Sequence, residues 1–170
     1  MTTRSPSPAA VSSPATPLQA VIVTPEQAAT IKPFGLDMKI LLTTEATDGT
    51  ISVLVVTHMP GEGPPNHVHF SQEEMFFILE GTYELTIGDQ TSTAVPGTMV
   101  FIPRNTVHRF KNVGETRGRM LDWSLPGGQD RYFQTVSDLA AGGGFTSEDV
   151  MRISKQFDTN FPTPQTSTSH

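Results

Sequence analysis

An all-β sandwich or barrel followed by a short helical appendix is the architecture this sequence predicts, on three observations. Short segments rich in β-branched and aromatic residues recur at regular spacing through the middle of the chain, and no internal repeat is visible. Gly or Pro punctuates nearly every junction between them. Helical patterning is confined to the region after Pro126-Gly127-Gly128. A run of strands and then helices favours antiparallel sheets packed face to face, with the helices as a flap.

Residues 1–18 are mostly Ser, Thr, Pro and Ala, with almost nothing to bury, and are expected to be a disordered tail. The barrel is expected over 19–125. LQAVIV, LDMKILLTTE and ISVLVVTHM read as its first strands, the second and third joined as a hairpin at Asp48-Gly49. MFFILE, TYELTIG, a short TAV, TMVFI, VHRFKN and GRMLDWSL continue the series. Residues 126–157 form the appendix, with helices at RYFQTVSDLAA and TSEDVMRISKQF separated by Gly142, Gly143 and Gly144. Thr146 or Ser147 is the N-cap of the second helix, which carries acids in its first turn. Residues 158–170, DTNFPTPQTSTSH, read as a second disordered tail.

With 17 acids against 11 bases and a net charge of −6, the chain offers no basic block to track phosphates, which argues against nucleic acid. The absence of cysteine removes disulfides, thiolate metal sites and cysteine nucleophiles. No apolar run approaches the roughly 18 residues of a membrane span, and the N-terminus lacks a secretory h-region. A soluble, cytoplasmic protein is expected.

The chemistry concentrates in GEGPPNHVHFSQEEMFFILEG, Gly61 to Gly81. A period of two puts His67 and His69 on one face of a β-strand, and Glu74 enters the strand that follows. A third histidine, His108, lies on a later strand after a turn at Pro103 and Asn105, Asn being a side chain that tolerates a left-handed backbone. Three imidazoles and a carboxylate suit one divalent first-row metal: Fe, Mn, Co, Ni, Cu or Zn. On an octahedral ion they leave two positions open, whereas tetrahedral Zn would tend to be closed.

At this point the sequence resembles the cupins. Gly61, His67, His69, Glu74 and Gly81 match the first cupin motif, and Gly97, Pro103, His108 and Asn112 the second, nine fixed positions within 52 residues. Asn105 stands where the family usually has Gly. The resemblance implies a double-stranded β-helix, or jelly roll, with His67, His69, Glu74 and His108 as metal ligands. Motif spacing and strand alternation both favour Glu74 over Glu73. Phe76 and Ile78, on the face of Glu74, and Phe110, beside His108, are candidates for substrate contact. Met75, Phe77 and Leu79 point the other way, towards a second sheet or a homodimer contact.

Small quercetinase-like cupins are similar in two further respects, the 3-His-1-Glu set and a P-G-G turn leading into an aromatic-containing helix, here Arg131-Tyr132-Phe133. The resemblance implies a metal-dependent dioxygenase cleaving an enolic or phenolic aromatic or β-dicarbonyl small molecule, with dioxygen as co-substrate and Glu74 as proton acceptor made basic by a dry pocket. Two alternatives stand beside it. One is an isomerase or cyclase that uses the metal as a Lewis acid on a polyketide-like substrate without oxygen. The other is a small-molecule-binding cupin without turnover.

Overall fold

The structure, a computed structural model, describes residues 18–162, so residues 1–17 and 163–170 of the two expected tails lie outside it. Nine strands are present among the described residues: β1 (Ala29–Ile31), β2 (Asp37–Leu42), β3 (Ser52–His58), β4 (Glu73–Glu80), β5 (Tyr83–Ile87), β6 (Gln90–Ala94), β7 (Met99–Ile102), β8 (His108–Asn112) and β9 (Gly118–Leu125). Two helices follow, α1 (Gln129–Ala141) and α2 (Ser147–Gln156). All ladders are antiparallel. They form a six-stranded sheet in the order β1-β2-β3-β9-β4-β7 and a three-stranded sheet in the order β6-β5-β8.

Alternation explains how the two sheets meet. Along β3 and β9 every second residue is buried, and β4 alternates in the same way. Leu54, Phe76, Ile78 and Met120 from the large sheet pack with Tyr83, Leu85 and Phe110 from the small one in a single core. Gly81 is required in the turn after β4, where the chain passes close to the start of β9: it has φ of 86°, and a Cβ there would lie 2.6 Å from the Gly118 Cα.

The appendix has its own small core of Tyr132, Val136 and Ile153, joined by a hydrogen bond of 2.8 Å between the Tyr132 and Ser154 hydroxyls. Thr146 caps α2 in a reciprocal capping box with Asp149. The Asp130 carboxylate fastens α1 to the barrel by accepting from the Thr44 amide, 2.9 Å away, and from the Thr44 hydroxyl.

Two expectations need correction. LQAVIV is not a strand: it is irregular, and Ile22 is 88% exposed. Strand propensity measures fit to a packed ladder, and the place beside β2 is taken by β1. The chain also does not leave the fold at Asp158. The Asp158 carboxylate accepts the amides of Phe70, Ser71 and Gln72, and Asn160 forms a backbone bridge with Val68. Polar composition suggested a tail, but these polar groups are satisfied by the barrel.

Candidate metal centre and its cavity

Glu74 is the second residue of β4 and points inward at 5% exposure. Its neighbour Glu73 points outward and accepts a hydrogen bond from Arg104 Nε at 2.7 Å. His108 opens β8 after a turn in which Asn105 adopts φ of 67°, the left-handed backbone expected of it. His67 and His69 lie on an extended segment rather than on a ladder strand. His67 exchanges two backbone hydrogen bonds of 2.9 Å with His108, and Val68 bridges Asn160 on its other side. The two imidazoles nevertheless share a face, with ring centroids 5.2 Å apart.

The four side chains converge, their candidate ligand atoms all within 4.8 Å of one another. From Glu74 Oε2 the Nε2 atoms of His108, His69 and His67 are 2.7, 3.3 and 3.8 Å away. Each Nδ1 faces a backbone carbonyl: Pro65 for His67 at 3.0 Å, Asp158 for His69 at 2.9 Å, and Thr106 for His108 at 2.9 Å. A carbonyl only accepts, so each Nδ1 carries the proton and a neutral ring turns a bare Nε2 lone pair towards the carboxylate. Lone pairs aimed at a carboxylate repel unless a proton or a cation lies between them. His69 Nε2, buried and close to Glu74, has no hydrogen-bond partner. This donor set, with every Nδ1 already committed, fits a divalent transition metal.

Burial acts to raise the Glu74 carboxyl, as a dry pocket should, but the imidazoles of His108, His67 and His69, when a proton rather than a cation lies between them and the carboxylate, reverse it and hold the group well below the usual carboxylate range. The expectation of a more basic Glu74 is therefore overturned by its own ligand neighbours. Burial lowers His67, while for His69 the opposing effect of Glu74 wins and raises it. Asp122, on β9, is pushed well above the usual range by burial and by the charge of Glu74, and its Oδ1 is buried without a partner.

Above the four residues opens a cavity of about 470 Å³. Its floor includes Asp122, His58 and Phe110; its sides are Leu36, Met38 and Val56; its roof is Tyr132, Phe133 and Val150 of the helices with Thr159 and Phe161. No Lys or Arg is among the described residues that line it. Phe110 lines the cavity as the sequence suggested, but Phe76 and Ile78 do not: both are fully buried in the core beneath. Alternation fixes the face a side chain takes, not its depth, and each step of two residues moves about 6–7 Å along the strand. Phe101 and Met99 are exposed on the outer side of β7.

Asp122 escaped the sequence reading, and His58, which reads from sequence as a polar strand-end residue off the ligand motif, also lines the cavity. Asp122 carried a legible signal, an acid at the inward parity shared with Met120 and Ser124. His58 bonds the Tyr83 hydroxyl at 3.1 Å and packs edge-on to Phe110. Asn112 serves the fold, its amide donating to the His58 and Thr116 carbonyls.

Residues 54–124 match the family profile described as Cupin domain. Polyketide synthase CurC of Streptomyces cyaneus is 32% identical over 90 residues, covering 51% of this chain and 57% of that protein. Quercetin 2,3-dioxygenase of Bacillus subtilis strain 168 is 27% identical over 110 residues, covering 65% of this chain and 32% of that protein. The chain thus spans about half the length of the first and a third of the second. The solved structure of KdgF from Halomonas sp. superposes with a TM-score of 0.59 at 17% identity, over 66% of this chain and 99% of that one, which shows a shared fold. Among the described residues no helix is long and apolar enough to cross a membrane.

Proposed function

This chain is a member of the cupin superfamily, and from that premise we propose that it is a metal-dependent dioxygenase that cleaves a small enolic or phenolic aromatic or β-dicarbonyl molecule. One observation carries the reading: three histidines and Glu74 meet at the floor of a cavity whose walls are apolar and whose lining lacks Lys and Arg. Such walls favour a flat, uncharged ligand and give no purchase to a phosphate or a sugar nucleotide. The 27% identity to a quercetin 2,3-dioxygenase supports an oxygen-dependent reaction.

His67, His69, Glu74 and His108 would hold the ion, which would supply Lewis-acid stabilisation of an enolate or phenolate oxygen. Glu74, kept anionic by its imidazoles, is able to receive the substrate hydroxyl proton. Asp122 beside it retains its own proton and can donate a hydrogen bond to a second substrate oxygen. Phe110 packs against the ligand from the floor, while Tyr132, Phe133 and Phe161 cover it and exclude water. A homodimer belongs to the same reading, since Met99 and Phe101 on β7 flank the outward Met75 and Phe77 of β4 in an apolar stripe that a second copy would cover.

The similarity to CurC favours a second reading, an oxygen-independent cyclase or isomerase acting on a polyketide-like substrate in the same cavity. Oxygen-electrode assays of metal-loaded protein against flavonols and β-diketones separate the two. Oxygen uptake that disappears in His67→Ala and Glu74→Ala supports the dioxygenase. Turnover that continues under anaerobic conditions transfers the function to the second reading, and tight binding with no turnover contradicts both.

A further inference from the structure

The three imidazoles are held by different means. The carbonyls that receive Nδ1–H from His67 and His108 belong to residues only two positions away, Pro65 and Thr106. The carbonyl that receives it from His69 belongs to Asp158, 89 residues distant, just beyond α2. The orientation of His69 alone therefore depends on where a remote segment docks.

That segment is built to dock. Asp158 adopts φ of 58° one residue past the helix cap Phe157, a left-handed position that helices usually fill with Gly or Asn. A carboxylate at the negative end of a helix is also the wrong sign for the macrodipole. Both local disadvantages are offset across the interface. Asp158 Oδ1 accepts the Phe70 amide at 3.0 Å; Oδ2 accepts the Ser71 amide and hydroxyl, both at 2.7 Å, and the Gln72 amide at 3.1 Å. Two residues on, Asn160 and Val68 exchange backbone hydrogen bonds of 2.9 and 3.0 Å. The ligand segment 67–69, which has no ladder of its own, is thereby clasped between β8 and the chain beyond α2. Between those anchors Thr159 faces the cavity, and Phe161 follows it.

We propose that Asp158 is a positioning residue for the metal centre: its carboxylate clamps the loop 70–72 so that its own carbonyl fixes the tautomer and direction of His69. The proposal rests on His69 being a metal ligand. Asp158→Asn is the informative substitution, because Asn keeps the size and the left-handed preference while it removes the charge and replaces one of the two accepting oxygens with a donor. Co(II) titration of the full chain is expected to show affinity about 10-fold weaker in Asp158→Asn, and a smaller loss in Ser71→Ala. In the metal-free proteins, ring ¹⁵N shifts are expected to show the Nδ1–H form of His69 eroded in Asp158→Asn, with His67 and His108 unchanged. A purely structural role would instead disturb all three rings together or none. Unchanged Co(II) affinity with an unchanged His69 spectrum overturns the proposal. His69→Ala distinguishes this from failure of the metal centre itself: if that variant binds Co(II) as well as the parent chain, His69 is no ligand and the underlying reading falls.

Discussion

The floor and the roof of the cavity are built on different principles. The floor stands on ladder strands: Glu74 on β4, His108 on β8 and Asp122 on β9 occupy inward positions of regular antiparallel pairs, and Phe76 and Met120 pack beneath them. The roof is assembled from α1, α2 and the segment beyond, by hydrogen bonds spanning 54 to 89 residues such as those of Gln72 with Pro126 and of His69 with Asp158. His67 and His69 sit at the seam. A floor that is also the core couples metal geometry to global stability, whereas a roof of loops and short helices can vary with the ligand at little cost to the fold.

Substitutions should separate the two. Phe76→Ala, in the fully buried core beneath the floor, is expected to lower stability by about 3–5 kcal/mol in chemical denaturation. A loss comparable to that of a roof substitution would erase the distinction. His58, in the floor itself, tests it through pH. Burial lowers its pKa from 6.5 to about 4, so between these values the unfolded chain takes up a proton that the folded chain refuses. Stability should therefore fall as pH drops from 6.5 to 4, by about 3 kcal/mol from this residue. Denaturation curves of His58→Gln should lack that part of the slope.

Roof changes should be smaller in stability. Tyr132→Phe leaves the buried Ser154 hydroxyl without its partner and is expected to cost about 1–2 kcal/mol, with faster hydrogen exchange confined to α1 and α2. Phe161→Ala, at a half-buried position, should change stability by no more than about 0.5 kcal/mol while weakening binding of an aromatic ligand. Equal effects on stability and on binding would blur the boundary between the regions.

The same division separates what was legible in the sequence from what was not. Period-two alternation put Glu74 inside and Glu73 outside, and turn chemistry identified Asn105 and narrowed the cap of α2 to Thr146 or Ser147, because each is decided by neighbours within a few residues. LQAVIV misled because a strand exists only with a partner, and Phe76 and Ile78 because parity carries no depth. Asp158 was hidden altogether: its acceptor role depends on amides 86 to 88 residues away, and it lies at the head of a stretch whose composition reads as tail.

Elemental analysis after loading with Mn, Fe, Co, Ni, Cu or Zn tests the central claim most directly. One divalent ion is expected per chain, with occupancy falling at least about 10-fold in His67→Ala and Glu74→Ala, and their folds retained by circular dichroism. A chain that takes up none of these ions, or that holds one equally well in both variants, contradicts the account.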